Sequence, residues 1–203
     1  MAELSARRAQ TRASLIAAAK RVFASRGIDV SVEEICEAAG FTRGAFYSNF
    51  SSKTELCVAV VEESMQDYLS VVRKVLPEAL QSSAGASEVI DLAVANFMNL
   101  WGGDADTLLA LHVIQLAATR TPELRGPVHR AQTAMASVLG EILSEAFEEF
   151  GVQPIVEMDV LLLVLRSVCL EVVLEDLLAS GYDPEGLKQR MAIILKALLT
   201  GGA

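Results

Sequence analysis

The sequence predicts an all-α fold of about nine helices: a small three-helix unit over residues 1–52, followed by a larger helical body over 53–203. Two observations carry this prediction. No stretch sustains the apolar–polar alternation of a half-buried strand. Helix start and stop residues also recur along the whole chain at spacings that leave only short connections.

The first helix is expected over about 7–25, with Leu15, Ile16, Ala19, Val22 and Phe23 on one stripe and Gly27 closing it. Ser31-Val32-Glu33-Glu34 is a capping box that opens the second helix. Ile35, Ala38 and Ala39 supply its apolar face, and Gly40 ends it. Thr42 can cap a third helix in which Phe46 and Phe50 stand one turn apart and point inward. Ser52-Lys53-Thr54-Glu55 repeats the capping pattern and starts a long helix expected to reach about Leu76, before Pro77. A small-residue linker, 81–87, precedes helices near 88–101 and 105–118. Thr121-Pro122 starts a further helix, which runs to about Phe150 and is stopped by Gly151. The last two are expected near 155–180 and 184–199, the second opened by Asp183-Pro184.

Composition narrows the class. Hydrophobic residues make up 52% of the 203, enough for a sizeable core. No apolar run reaches the ~18 uncharged residues of a membrane span. The N-terminal residues contain no apolar signal region, so a soluble, cytoplasmic protein is expected. The net charge of −9 is unevenly spread. Residues 1–53 carry eight basic side chains (Arg7, Arg8, Arg12, Lys20, Arg21, Arg26, Arg43, Lys53) against five acidic ones, a net of +3. The remaining 150 carry nine basic and 21 acidic, a net of −12. One end can therefore face a polyanion while the body points away. Cys36, Cys57 and Cys169 form no C-x-x-C and read as small buried hydrophobes, with a thiol sensor as the alternative. No metal and no cofactor are expected.

The second and third helices form a helix-turn-helix. With Phe46 and Phe50 turned inward, the free face of the third helix carries Thr42, Arg43, Gly44, Tyr47 and Ser48. Such a face suits the major groove of duplex DNA. Arg43 can pair with a guanine edge through two bonds. Gly44 lets the backbone approach the groove wall, and Tyr47 can reach a phosphate or a thymine methyl. Ser31 and Lys53 stand at helix N-termini, which favour phosphate.

Gly27, Ser31, Ile35, Ala38-Ala39-Gly40, Thr42, Gly44, Phe46-Tyr47, Phe50, Lys53 and Leu56 together resemble the N-terminal motif of the TetR family of bacterial transcriptional regulators. Three positions depart from that pattern: Cys36 replaces an Ala, Phe41 a Val, and Asn49 stands where His is common. The first two are core-type changes, while Asn49 can still bond a phosphate. The resemblance implies a homodimer on operator DNA. It also implies that the long fourth helix links each DNA-binding domain to a ligand-binding body, and that the last two helices form the dimer seam.

The body carries no motif of its own. Polar residues inside its apolar helices are the candidate ligand contacts: His112 and Gln115 within LLALHVIQLA, and Arg166 after six apolar residues. Phe97, Trp101 and Cys169 complete the candidate pocket. In the 155–180 helix, Asp159 and Arg166 fall on one strip and Ser167, Glu171 and Glu175 on another. One strip is expected to face the pocket and the other the seam or solvent. The function these residues imply is a dimeric repressor released from its operator by a small, largely apolar ligand. An activator or an effector-independent DNA binder is the alternative within the class. An enzyme is disfavoured, because no phosphate loop, nucleophile elbow or metal-ligand cluster is present.

Overall fold

A computed structural model of the chain describes residues 2–80, 105–149, 151–179 and 181–201. Its helices are α1 (Ala2–Arg26), α2 (Val32–Ala39), α3 (Arg43–Tyr47), α4 (Lys53–Leu80), α5 (Ala105–Ala118), α6 (Pro122–Glu149), α7 (Met158–Ala179) and α8 (Pro184–Ala197). The expected linker 81–87 and the helix near 88–101 lie outside the described residues.

Several boundaries differ from those expected. Helix α1 begins at Ala2 rather than near Arg7. Helix α4 does not stop before Pro77 but continues to Leu80. A proline deletes one backbone donor, the one that would meet the carbonyl four residues earlier, and the adjoining turns can hold the helix across that gap. Helix α6 likewise contains Pro127. Helix α7 starts at Met158 instead of Ile155, because the chain first forms a short strand. That strand, β1 (Val152–Pro154), pairs antiparallel with β2 (Leu199–Gly201), Gln153 opposite Thr200. The Ile155 N–H extends the pairing to the Leu198 carbonyl at 2.9 Å. Three residues are too few to display an alternation, so nothing in the sequence marked these strands.

The chain divides into two compact units. The first holds residues 1–65 and 106–132; the second holds 66–105 and 133–203. The first is built on one apolar cluster. Leu15, Ile16 and Phe23 of α1, Ile35 and Cys36 of α2, Phe46 of α3 with Phe50 after it, and Leu56 and Val60 of α4 are all buried in it. Ala110, Ile114 and Ala118 of α5 and Leu124 and Val128 of α6 belong to the same cluster. The core beneath the helix-turn-helix is thus completed by residues far along the chain.

In the second unit, Tyr68, Phe147, Leu161, Cys169, Val173, Leu187, Met191 and Leu195 are buried. Asp176 is buried as well, and it fastens the α7–α8 connection. It accepts a hydrogen bond from the Asp183 main-chain N–H at 3.3 Å and one from Arg190 Nη2 at 3.2 Å. Among the described residues no helix is long and apolar enough to cross a membrane.

Candidate nucleic-acid interface

Local chemistry sets the angle between α2 and α3. Ser31 caps α2: its hydroxyl accepts from the Glu34 N–H at 3.2 Å, while the Ser31 N–H donates to the Glu34 carboxylate at 2.7 Å. These bonds, the main-chain one foremost, hold the Glu34 carboxyl below its ordinary range. At the other end Gly40 takes φ +71°, a left-handed conformation that a side chain would strain. The Phe41 N–H then bonds back to the Cys36 carbonyl at 2.9 Å. Thr42 caps α3 through Oγ1, which accepts from the Ala45 N–H at 3.2 Å.

Under α3, Phe46 and Phe50 are buried with ring centroids 5.7 Å apart. Thr42, Arg43, Gly44, Tyr47 and Ser48 are all exposed, as their spacing around the phenylalanines requires. Tyr47 is 51% exposed, and its ring stands edge-on to Phe46 with centroids 5.2 Å apart, so the side chain is anchored from below and accessible from outside. At Gly44 a Cβ would meet only Thr42 Oγ1, at an ordinary 3.7 Å, and the backbone there is not left-handed.

Charged side chains hold both ends of α3, which sequence reasoning missed. At its start, the Arg43 guanidinium pairs with the Glu33 carboxylate of α2 and lies over the Tyr47 ring, 5.8 Å from its centroid. Tyr47 and then Glu33 raise the Arg43 pKa. At its end, Arg8 Nη2 of α1 donates to the Ser48 carbonyl at 2.7 Å, placing a cation at a helix C-terminus. The only signal in the sequence was the basic bias of the first 53 residues.

Other expected contacts also have internal partners, the Ser48 hydroxyl donating to the Ala45 carbonyl at 2.8 Å. Asn49, half-buried, turns its amide N–H groups to the Ala45 carbonyl (2.8 Å) and Ser48 Oγ (3.2 Å). The Ser31 hydroxyl donates to Glu34 at 2.8 Å. Lys53 differs most from expectation, because its ammonium is not left free for a phosphate. Its ammonium is part-buried and donates to the Ile28 carbonyl at 2.7 Å and the Val30 carbonyl at 2.8 Å. Ser52 does cap α4 by accepting from the Glu55 N–H at 3.1 Å. The Glu55 carboxylate bonds Ser51 instead of Ser52, and the Ser51 hydroxyl and main-chain N–H lower its pKa.

The candidate pocket residues belong to both units. His112 and Gln115 are half-buried on α5 in the first unit. Arg166 and Cys169 lie on α7 in the second. Phe97 and Trp101 fall outside the described residues. Arg166 is exposed rather than buried, as are Asp159, Ser167, Glu171 and Glu175, so burial does not separate the two strips of α7. Cys169 is buried, and desolvation pushes its thiol up to about 11.

Comparison with known proteins agrees with this geometry. Residues 15–60 match the family described as "Bacterial regulatory proteins, tetR family", and residues 84–201 match "Tetracyclin repressor-like, C-terminal domain". The HTH-type transcriptional regulator TtgR of Pseudomonas putida is 44% identical over 54 residues, 26% of each chain. The HTH-type transcriptional activator FasR of Mycolicibacterium smegmatis is 37% identical over 70 residues, 34% of this chain and 32% of FasR. Each match thus spans a third or less of the relative's own length. The solved structure of the fatty acid degradation regulator FadR from Bacillus halodurans shares the fold: TM-score 0.72, 21% identity, 91% of this chain and 94% of that one. With the C-terminal match alone covering more than half of its length, and the helix-turn-helix matching at the other end, this chain belongs to the TetR family of bacterial transcriptional regulators.

Proposed function

We propose that this protein is a homodimeric operator-binding repressor, released when a small, largely apolar ligand occupies its helical body. The observation that carries the reading is the outward face of α3. Thr42, Arg43, Gly44, Tyr47 and Ser48 are exposed together above two buried phenylalanines. Gly44 strengthens it. Glycine costs about 1 kcal/mol in a helix relative to Ala, and nothing among the described residues requires it there. A close approach from outside supplies the missing reason. Arg43 and Tyr47 are the base-reading and phosphate- or methyl-contacting candidates, with Thr42 and Ser48 beside them. Ser31, Asn49 and Lys53 act mainly by shaping the helix-turn-helix, and any DNA contact they make is shared with the partners described above. In this reading residues 1–52 form the reader, and the body from 53 onward senses ligand and dimerises. Its place of work is the cytoplasm, where the DNA is.

Helix α4 begins in the first unit and ends in the second, which gives a ligand in the body a covalent lever on the reader. Tenfold weaker DNA binding needs only ~1.4 kcal/mol of preference for the released state. An activator, as FasR is named, would use the same interface at a differently placed operator.

A mobility shift with duplex DNA from upstream of the protein's own gene tests the reading. Wild type is expected to shift that duplex, and Tyr47→Ala, folded and dimeric, to lose the shift. An inducing compound should abolish the wild-type band. Equal binding of Tyr47→Ala and wild type would remove α3 as the reader.

A further inference from the structure

Arg43 is the side chain best suited to read a base, yet in the free protein its charge is already paired. We propose that Glu33 is a specificity-determining residue: by pairing with Arg43 it withdraws that guanidinium from generic phosphate contact and leaves it to a base edge. This rests on the DNA-reading role proposed for α3.

Glu33 lies in the first turn of α2 and Arg43 at the start of α3, two helices held rigidly by the Gly40 turn and by the buried side chains of Ile35, Cys36 and Phe46. Both partners are exposed, with side-chain accessibilities of 60% for Arg43 and 51% for Glu33, so their pair sits on the outer surface. The Tyr47 ring, 5.8 Å from the guanidinium carbon, supports the same group. A guanidinium has five N–H donors in one plane, and a carboxylate does not use them all. The donors that remain can meet two acceptors in line.

Phosphate and guanine then differ in what they encounter. A phosphate must displace the Glu33 carboxylate or sit beside it, anion against anion. The O6 and N7 of guanine are neutral acceptors and suffer no such repulsion. Glu33 therefore penalises sequence-independent binding, which is dominated by phosphate, more than it penalises a correct base contact.

The test uses the full-length protein with two probes. One is the duplex that wild type enriches from a randomised pool; the other is a shuffled duplex of the same composition. Dissociation constants are measured by fluorescence anisotropy over a range of salt. In Glu33→Gln, affinity for the shuffled duplex is expected to rise several-fold while the enriched duplex changes less, so the specificity ratio falls. The salt slope on the shuffled duplex should steepen by about one released ion. Glu37→Gln removes the same charge one turn along α2, from an exposed position, and should leave the ratio unchanged. In an Arg43→Ala background, Glu33→Gln should no longer alter the ratio. The proposal is overturned if Glu33→Gln and Glu37→Gln shift both duplexes by one common factor, or if the Glu33 effect survives without Arg43. A wild-type protein that enriches no duplex would instead overturn the DNA-reading role itself.

Discussion

The Lys53 ammonium ends between two main-chain carbonyls, Ile28 at 2.7 Å and Val30 at 2.8 Å, in the connection between α1 and α2. Those carbonyls precede a helix and have no partner within it, so a charge-assisted donor from the start of α4 satisfies both. Hydrogen bonds to a charged group contribute about 1.5–3 kcal/mol. Lys53→Met, which keeps the apolar stem and deletes the donors, is expected to destabilise the protein by about that amount in a urea titration. A phosphate grip alone would behave otherwise, weakening DNA binding with stability unchanged. The sequence placed Lys53 at a helix start and no more, because its acceptors lie 25 and 23 residues earlier. Phe46 and Phe50 were legible by contrast: four residues apart, they fall on one side of a helical turn, and the Phe50 N–H bonds the Phe46 carbonyl at 2.9 Å although α3 itself ends at Tyr47.

Helix ends are the elements whose chemistry the sequence states most openly. Ser31 with Glu34, Gly40, Thr42 and Asp183 all cap where their residue types predict. The Ser31–Glu34 pair also makes a prediction about pH. Glu34 titrates below its unfolded value because Ser31 donates to its ionised form and Arg26 adds its charge. Its contribution to stability is therefore complete above the unfolded glutamate pKa, about 4.3, and is lost as pH falls through the lower folded value. Glu34→Gln should melt at a lower temperature than wild type at neutral pH, and the two curves should converge once the carboxyl is protonated. Circular dichroism melts across the acid range check this; a gap that stays constant with pH would show that Glu34 ionisation contributes nothing.

At the scale of the whole molecule, α7 and α8 carry large apolar side chains that the described residues leave exposed. Leu163 is 52% exposed, Leu178 88% and Ile193 67%. Exposed apolar side chains on both helices suit the homodimer proposed above, whose seam the family resemblance places on the last two helices. Ile193→Glu is expected to produce a folded monomer by light scattering at micromolar concentration. Leu195, two residues on, is only 9% exposed and belongs to the chain's own core. Leu195→Glu should therefore unfold or aggregate the protein rather than divide it. Wild type running as a stable monomer would dispose of the seam.

Helix identity, caps and the outward face of α3 follow from the sequence because each depends on residues within about two turns of one another. Periodicity and capping are local, and a dense local motif placed the family. Contacts between distant segments were decided only by the tertiary structure. Ala110, Ile114, Leu124 and Val128 join the core under the helix-turn-helix from another part of the chain. Glu33 closes on Arg43 and Lys53 reaches Ile28 and Val30, while the pocket candidates His112 and Arg166 fall in different compact units. The exposure of Arg166 on α7 has the same origin. On a helix that is apolar nearly all round, periodicity does not select an inner face, and the neighbours packed against it do.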